Sequence, residues 1–386
     1  YHKKGREYSE NAVEDLKIAV SADERDPQRR LALARAYQLA GMAVAAEIQA
    51  RQSLDLGVSN RFGAKTIIGN ALVSRGDYDE AIEVFKECST HPAAVTAGGR
   101  ALLAKANQVP LEERNGILAS MIDRFSKAAK INSRVADYYS YRALAYAQRN
   151  EPGDWEKALA DWKEAREISH QDTNSWEFEG DALNERSVDL PSPQREEGLR
   201  RVIRIYGEAL RRAREPYKPV LRRKRAMVYQ SLGEFYKALT EARSGARENP
   251  HYVQNFMAWA TAAIAAYAWD QVVEAASLGL EVADRKRSRV GSIWLTFFRI
   301  IGHCGSQQPL ESNMDDPERL ASALESLPAF DPTKWDWSIT KEMLEAAMKD
   351  WPDDLVSLAR HSIALVEGRL SVSQYREKHK SGMGRA

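Results

Sequence analysis

Small and apolar side chains recur along the chain as a fixed triplet, in which one residue is followed by partners four and seven positions later. The stretch SLGEFYKALTEARSGARENP, residues 231–250, contains one such triplet in Ala238, Ala242 and Gly245. Spacings of four and seven place the three residues on one face of an α-helix. Glycine inside a helix costs about 0.5–1 kcal/mol of stability relative to alanine. Its presence at position 245 is explained if a second helix packs closely there, and the sequence therefore predicts such a contact.

The triplet occurs eight times at nearly regular intervals. Its first members are Ala12, Ala46, Ala81, Met121, Ala158, Val202, Ala238 and Val272, and successive starts are 34, 35, 40, 37, 44, 36 and 34 residues apart. Another small residue often lies twelve positions before a start, as Gly69 does before Ala81, and a glycine falls between the two at Gly41, Gly76 and Gly233. The pattern therefore predicts a repeating unit of two helices joined by a turn.

This repeat resembles the unit of the tetratricopeptide repeat (TPR) family. The best-matching stretches are IIGNALVSRGDYDEAIEVFKECSTHP, residues 67–92, and KRAMVYQSLGEFYKALTEARSGARENP, residues 224–250. The small, aromatic and proline positions of the family agree at Gly69, Leu72, Gly76, Tyr78, Ala81 and Phe85 in the first stretch, and at Ala226, Tyr229, Gly233, Phe235, Ala238 and Pro250 in the second. The resemblance covers about residues 5–285.

The resemblance implies an all-α fold, a right-handed superhelical solenoid of helix–turn–helix repeats with a helical C-terminal cap. Residues 1–290 are expected to hold about eight units, the first of them incomplete because its first helix would precede residue 5. Residues 291–386 are expected to hold a last helical pair and the cap. A solenoid that starts with half a repeat suggests either a piece cut from a longer protein or a first face that something else covers.

Three units carry extra residues between their two helices, around residues 107–114, 150–155 and 186–197. Each insertion contains proline, which predicts non-helical backbone. The prolines are Pro110, Pro152, Pro191 and Pro193. Because all three insertions fall in the turn within a unit, we expect them to project from one rim of the solenoid.

Beyond residue 290 the period weakens. Residues 292–301 are expected to form a first helix and residues 302–318 a loop. Capping helices are predicted over residues 316–327, 338–351 and 353–368, several of them opened by Asp or Ser. Trp335 and Trp337 lie in a polar turn, where we expect them to fasten the cap to the last repeat; an exposed aromatic anchor for a partner is the alternative.

Composition narrows the class of protein without naming a function. The 386 residues are 44% hydrophobic and 29% charged with a net charge of +1, so the chain is expected to fold and to have no bulk attraction to nucleic acid or membrane. The most apolar run, Phe256–Trp269, is too short to cross a bilayer, which needs about 20 residues. No transmembrane segment is expected, and the compartment stays open with the cytoplasm as the default.

The sequence contains no recognisable catalytic or metal-binding motif. The motifs HExxH, GxSxG, CxxC and a glycine-rich phosphate loop are missing from it. Cys88 and Cys304 have no ligand-like spacing, and the adjacent pair His303 and Cys304 does not suggest catalysis because sequence neighbours rarely point at each other. We therefore expect no enzyme activity, no cofactor, no metal and no small-molecule substrate.

In TPR proteins the first helices of successive units line a concave side and bind peptide segments or partner helices. By register, the groove here is expected to be lined by Arg35, Gln38, Asn70, Asn174, Glu177, Asp181, Asn184, Arg223, Met227 and Met257. The family's clamp for chaperone tails needs Lys and Asn at set first-helix positions. Only Asn70 meets that requirement, so chaperone C-termini are not expected as ligands.

Charge is unevenly distributed although the whole chain is nearly neutral. Residues 151–181 hold ten acidic and three basic residues, a net of −7, and residues 195–225 hold twelve basic and four acidic residues, a net of +8. Solvated helix faces that partly stack on each other explain these blocks, and reversing the charge of Arg222 should then change stability little. The other explanation is an acidic partner that docks on Arg211, Arg212, Arg222, Arg223 and Arg225.

The sequence therefore predicts a non-enzymatic scaffold or adaptor that holds a protein or peptide partner in its groove. The first alternative is a sensing or regulatory arm of a larger signalling protein whose catalytic domain lies outside this chain. RNA binding through the basic block at residues 211–225 is a weaker third option. Base stacking needs interleaved aromatic side chains, and only Tyr206 and Tyr217 are available there.

Overall fold

The protein is helical throughout the part that the structure describes. A computed structural model describes residues 2–88, 91–215, 217–307 and 315–380. These residues form 20 α-helices and no strand, so the prediction of an all-α fold is confirmed. The chain divides into two compact units, Tyr1–Ala182 and Leu183–Ala386.

The first unit is a series of helical hairpins preceded by a single helix, α1 (His2–Ala22). The hairpins are α2 (Pro27–Leu39) with α3 (Ala43–Asp55), α4 (Arg61–Arg75) with α5 (Tyr78–Lys86), α6 (Pro92–Ala106) with α7 (Leu111–Ile131), and α8 (Ala136–Arg149) with α9 (Asp154–Ile168). A further helix, α10 (Thr173–Val188), begins in this unit and ends in the second. Consecutive helices pack together from α1 to α9, as TPR-like helix–turn–helix repeats require.

Local chemistry sets where these helices begin and end. Asp26 caps α2, because its carboxylate accepts the backbone N–H of Gln28 at 2.8 Å. Gly76 ends α4 with φ at +89°, in the left-handed region where a side chain would be strained. The other two predicted glycine turns, at Gly41 and Gly233, also have positive φ. The turn positions inferred from the repeat are confirmed.

Two glycines on first helices receive phenylalanine rings from second helices. A Cβ atom at Gly69 would lie 2.4 Å from Cζ of Phe85, and one at Gly99 would lie 2.2 Å from Cζ of Phe125. Both rings are 0% exposed. The first members of the triplet are also buried, at no more than 1% exposure, in Ala46, Ala81, Met121, Ala158, Val202, Ala238 and Val272. The α4–α5 and α6–α7 hairpins are thus closed by a glycine that lies under a phenylalanine ring.

Two of the three insertions lengthen helices more than they form loops, whereas the one around 150–155 forms the turn between α8 and α9. The segment around 107–114 adds helix to the start of α7, which begins at Leu111, and the segment around 186–197 extends α10 to Val188 and starts α11 at Gln194. The expectation of non-helical backbone holds only for the short turns, where Pro110, Pro152, Pro191 and Pro193 lie outside the helices. The rest of the inserted sequence is helical because it has no helix breaker.

The second unit contains hairpins followed by a helical cap. It has α11 (Gln194–Arg212), α12 (Lys218–Ser231) with α13 (Phe235–Glu248), α14 (Val253–Ala265) with α15 (Trp269–Lys286), and α16 (Arg289–Gly305). The cap is α17 (Asp315–Glu325), α18 (Ser338–Ala347), α19 (Asp353–Val366) and α20 (Val372–Lys380). α17 and α19 pack against α16, and α18 packs against α14.

Gly245 lies at a close helix contact, as the sequence predicts. A Cβ atom there would be 3.4 Å from the carbonyl oxygen of Pro219 and 3.5 Å from Cβ of Arg222, both on α12. The contact is tighter one repeat later, where a Cβ at Gly279 would be 2.7 Å from Cβ of Phe256. The distances at Gly245 are ordinary van der Waals contacts that leave room for a methyl group, whereas a Cβ atom at Gly279 would clash with Phe256.

The cap is fastened by one of the two tryptophans. Trp337 is 8% exposed, and its ring centroid lies 5.9 Å from that of Trp294 and 5.2 Å from that of Phe297, both on α16. Trp335 is half-buried against the same core. The prediction that this turn fastens the cap to the last repeat is confirmed.

The last cap helix, α20, was not predicted from the sequence. The loop predicted over residues 302–318 is also longer than the observed one. α20 begins after a capping box, in which the Ser371 hydroxyl accepts the backbone N–H of Gln374 at 3.2 Å and the Gln374 side chain accepts that of Ser371 at 3.0 Å. α16 runs to Gly305, and residues 308–314 of the predicted loop lie outside the described residues, as do residues 381–386 of the predicted cap region. The boundary at residue 290 stays a prediction.

Candidate functional site

A cleft of about 310 Å³ lies among the first helices of the first unit. It is formed by α4, α6 and α8, of which α4 packs against α6 and α6 against α8. Its lining residues are Thr66, Asn70, Pro92, Ala93, Thr96, Ala97, Arg100, Val135 and Asp137. The cleft therefore lies on the side of the hairpins that the TPR resemblance assigns to partners.

Residues at equivalent positions of α4 and α6 lie side by side in this cleft. Gly69 and Gly99 face the second helices, so the residues that follow them, Asn70 and Arg100, face away from that contact. On each helix a threonine lies four residues earlier, Thr66 on α4 and Thr96 on α6. Two neighbouring helices thus present a Thr–Asn pair and a Thr–Arg pair in register.

Polar groups in the cleft are open to a ligand. In the described part of the chain, the side chains of Asn70, Thr96 and Arg100 have no hydrogen-bond or ion-pair partner. Arg100 is exposed, and Asp137 is half-buried and accepts the Asn174 amide at 3.2 Å. Such a surface can bind a carboxylate through Arg100 and the polar backbone of a peptide through Asn70.

The carboxyl group of Asp137, which lines the cleft, has a raised pKa. Burial raises the pKa of Asp137, and the nearby Asp172 adds to the increase, while the Asn174 amide and the Arg100 guanidinium act in the opposite direction. Arg100 acts on Asp137 only through its charge, and the two do not form an ion pair in the described chain. The cation therefore keeps its capacity to bind a ligand.

Other predicted groove residues of the first unit differ in accessibility. Arg35 is exposed and Gln38 half-buried on α2, and Asp181 is half-buried on α10. Glu177 is only 4% exposed, which corrects its assignment to an open groove. It lies close to the half-buried Tyr141, and packing in this region removes it from solvent.

Register reasoning missed Arg100, Thr96 and Asp137. The insertion before α7 separates Gly99 from Met121 by 22 residues, whereas Gly69 precedes Ala81 by twelve. Because the spacing differs, counting back twelve residues from Met121 does not reach the first-helix positions of this unit. A search for the small residue that accepts the Phe125 ring would have restored them, because Phe85 packs on Gly69 in the same manner.

In the second unit the cap covers part of the predicted groove. Met257 is only 3% exposed, so its assignment as a groove residue is corrected. The reason is that α18 packs against α14, where the Thr340 hydroxyl donates to the carbonyl of Thr261 at 3.4 Å. Asn184 is half-buried, and Met227 stays 48% exposed on α12.

Two arginines of the predicted basic patch share one carboxylate. Arg211 and Arg212, near the end of α11, both pair with Glu208 on the same helix. Spacings of three and four residues bring these side chains together on the helix surface. The pair keeps a net positive charge, and the docking of an acidic partner on it stays a prediction.

On α12, two further arginines of the predicted patch bind carboxylates of α13. Arg222 contacts Glu248 at 2.8 Å and Glu241 at 3.2 Å, and Arg225 contacts Glu241 at 2.5 Å. Both arginines are half-buried. Reversing the charge of Arg222 would place three carboxylates together, so these ion pairs favour a larger loss of stability than a solvated face would give.

The two cysteines are free thiols, and both are buried. Cys304 is 1% exposed, and burial raises the pKa of its thiol to about 12. Cys88 is 0% exposed, and its pKa is also raised, chiefly by burial. Since the thiolate is the nucleophile, burial disfavours the reactive form of both cysteines.

We expect neither thiol of the native protein to react with dithionitrobenzoate within minutes at about pH 8, where an ordinary exposed thiol reacts readily. Both should react once the chain is unfolded in guanidinium chloride. The absorbance of the released thionitrobenzoate measures the number of reactive thiols. Rapid release of one equivalent from the native protein would contradict the described burial.

Metal-binding clusters and membrane-spanning helices are missing from the described residues. Across these ranges no group of three or more His, Cys, Asp or Glu side chains is arranged to hold a metal ion. Among the helices that the structure describes, none is long and apolar enough to cross a membrane.

The hairpins and the cleft define a TPR-like helical repeat protein. No family model matches the sequence, and no curated protein sequence matches it either. Solved structures similar to the chain include a thermophilic TPR protein of Thermus thermophilus (18% identity, 61% of this chain, 98% of that chain, TM-score 0.38). The TPR protein YrrB, described as having an unusual peptide-binding site, is 17% identical over 52% of this chain and 98% of its own, with a TM-score of 0.33.

A third similar structure is a TPR protein of Parabacteroides merdae. It is 12% identical and covers 84% of this chain and 99% of its own, with a TM-score of 0.41. The structures named here are all TPR proteins, as the sequence predicts. The fold assignment itself rests on the hairpins and the buried triplets of this chain.

Proposed function

We propose that the protein is an interaction scaffold that binds an extended peptide segment of a partner in the cleft formed by α4, α6 and α8. One observation carries the proposal: Asn70 and Arg100 occupy equivalent positions on neighbouring helices, and neither side chain has a partner within the described chain. Polar side chains that are placed in register and left unpaired favour a ligand that supplies the missing groups.

The spacing of these side chains suits an extended chain. Helices in contact lie about 8–10 Å apart, and an extended peptide advances about 3.3 Å per residue. Asn70 and Arg100 would therefore contact groups about three residues apart. The amide of Asn70 can both donate to and accept from a peptide bond, while Arg100 would bind an acidic side chain or a terminal carboxylate.

The proposal is tested by selecting short random displayed peptides on the full chain and measuring the affinity of a selected peptide by calorimetry. We expect Asn70→Ala and Arg100→Gln each to weaken binding about tenfold, equivalent to 1.4 kcal/mol, because each removes a contact that the ligand alone completes. Circular dichroism would confirm that the variants retain their helices.

A matched control is available on α7. Lys127 is exposed and pairs with the exposed Asp123 at 2.7 Å, so Lys127→Gln should leave the affinity unchanged. If selected peptides bound the Asn70 and Arg100 variants as tightly as the parent protein, the cleft would not be the binding site. Failure to select any peptide would equally count against the proposal.

A further inference from the structure

Helix α20 is attached to the cap by few contacts. It packs against α17 and α19. Tyr375 is 1% exposed, and its hydroxyl lies 2.9 Å from that of Ser362 on α19. Arg376 contacts Glu318 at 2.7 Å and Glu325 at 3.0 Å, both on α17. Because α20 has nine residues, fewer than the about 12–15 that an isolated helix needs, its helical state depends on this docking.

Two histidines meet at the same interface, His361 of α19 and His379 of α20. Their ring centroids are 5.4 Å apart, and the ring of His379 lies 4.4 Å from that of Tyr375. Both histidines are half-buried. One nitrogen of each ring, Nδ1 of His361 and Nε2 of His379, is buried and has no hydrogen-bond partner among the described residues. Two titratable rings are therefore in contact where one nitrogen of each is closed off from water.

This geometry favours the neutral form of both rings. A neutral imidazole has one N–H donor and one bare nitrogen, whereas the protonated ring carries a proton on both nitrogens. Protonation would turn each buried nitrogen into a charged donor without an acceptor. It would also bring two positive charges together across the contact between α19 and α20.

Neighbouring groups act in the same direction. Burial lowers the pKa of His361, and the charge of Lys378 on α20 lowers it further. For His379, burial together with the charges of His361 and Lys378 lowers the pKa to about 4. Among the described residues, no carboxylate acts on the pKa of either histidine, so nothing offsets these effects.

The other titratable groups around α20 do not change charge in mildly acidic solution. From α16, α17 and α20 they are Arg299, Cys304, Asp316, Glu318, Glu325 and Arg376. The three carboxylates among them are bound by the two arginines. Burial raises the pKa of the thiol and of the Tyr375 hydroxyl, so both stay neutral. The histidine pair is thus the part of this interface that responds to pH near neutrality.

We propose that the contact between His361 and His379 makes the docking of α20 a pH-sensitive device: α20 stays on α17 and α19 while both rings are neutral, and protonation releases it. Released α20 loses its helix, and the surface that Tyr375 covers becomes accessible. The device controls the cap of the second unit and does not depend on peptide binding in the cleft.

The size of the effect follows from the two states of His379. Its pKa is about 4 in the docked helix and returns to about 6.5 in the released one. The released state therefore binds the proton more readily, and acidification favours release. Between about pH 7.5 and pH 5.5 the ratio of released to docked α20 rises about tenfold from His379 alone, and His361 adds to the increase.

Hydrogen–deuterium exchange of the full chain at these two pH values tests the proposal. After correction for the intrinsic exchange rates, the protection factors of the α20 amides should be at least about tenfold lower at the acidic pH. Those of α13, which contains no histidine, should not change. In the double variant His361→Phe and His379→Phe, which keeps two rings in contact but removes the titration, α20 should be equally protected at both pH values.

Arg376→Gln is the matched control for a contact that does not titrate. It should lower the protection of α20 by the same factor at both pH values, because its ion pairs with Glu318 and Glu325 persist over this range. If the double variant fails to dock α20, NMR titration of the parent protein labelled with ¹³C-histidine decides instead. Both rings should then titrate below about pH 6.5, with His379 the lower. Unchanged protection of α20 in the parent protein, an equal loss in the double variant, or ordinary titration of both rings would overturn the proposal.

Discussion

Replacing Arg149 by methionine is expected to lower the free energy of unfolding by about 3 kcal/mol. Arg149 donates from Nε to Oδ2 of Asp154 at 2.8 Å and from Nη2 to Oδ1 at 2.9 Å. Asp154 is 0% exposed, and the backbone N–H of Glu151 also binds its carboxylate, at 3.2 Å. Removing the guanidinium leaves a buried carboxylate that Lys157, at 3.4 Å, compensates only in part.

The ion pair of Arg149 and Asp154 also predicts that the free energy of unfolding depends on pH. The hydrogen bonds from Arg149 hold the pKa of Asp154 below its ordinary value, against the effect of burial. The stabilisation is therefore complete above the unfolded-state pKa of about 3.9 and is lost as the pH falls through the lowered native pKa. In Arg149→Met this depression is largely removed, so acid unfolding should begin at a higher pH.

A double-mutant cycle with Asp154→Asn is the control. Urea unfolding at neutral pH, followed by circular dichroism, gives the free energies. In the Asp154→Asn background, Arg149→Met should cost much less than in the parent protein, because no charge is left unpaired. An equal loss in both backgrounds would mean that the two side chains do not form the described pair.

Replacing Gly99 by alanine is expected to destabilise the protein by about 1–3 kcal/mol, although alanine is the better helix former. The added Cβ atom would lie 2.2 Å from Cζ and 2.4 Å from Cε2 of Phe125. The ring is fully buried and stacks against Tyr141 at 5.8 Å between centroids. It can move away only by disturbing its neighbours, so α6 and α7 must separate.

Gly116 on α7 provides the matched control. It is exposed, and nothing lies within 4 Å of a Cβ atom built there. Gly116→Ala should therefore raise the free energy of unfolding by about 0.5–1 kcal/mol through helix propensity alone. Urea midpoints of the two variants would be compared. A stabilising effect at both glycines would show that Gly99 does not face Phe125.

Much of the fold could be predicted because its determinants are local. Gly41, Gly76 and Gly233 mark turns since they adopt a backbone conformation that side chains resist. The triplets mark buried helix faces because spacing alone fixes which residues share a face. Even α20, which was missed, carries a local signal in its capping box of Ser371 and Gln374.

The parts that could not be predicted depend on contacts between distant segments. Register predicts that Met257 lines the groove, but the residue is buried on α14, against which the cap helix α18 packs. The block of arginines reads as a basic patch because sequence does not show that Glu241 and Glu248 of the next helix bind Arg222. Arg100 was lost because an insertion shifted the register of its unit.

Hydrogen–deuterium exchange of the full chain, with and without a peptide selected on it, tests the central claim most directly. Binding in the cleft predicts slower amide exchange in α4, α6 and α8, the first helices that carry Asn70, Arg100 and Asp137, with little change in α5, α7 and α9. Protection confined to those second helices, or no protection in the first unit, would contradict the account.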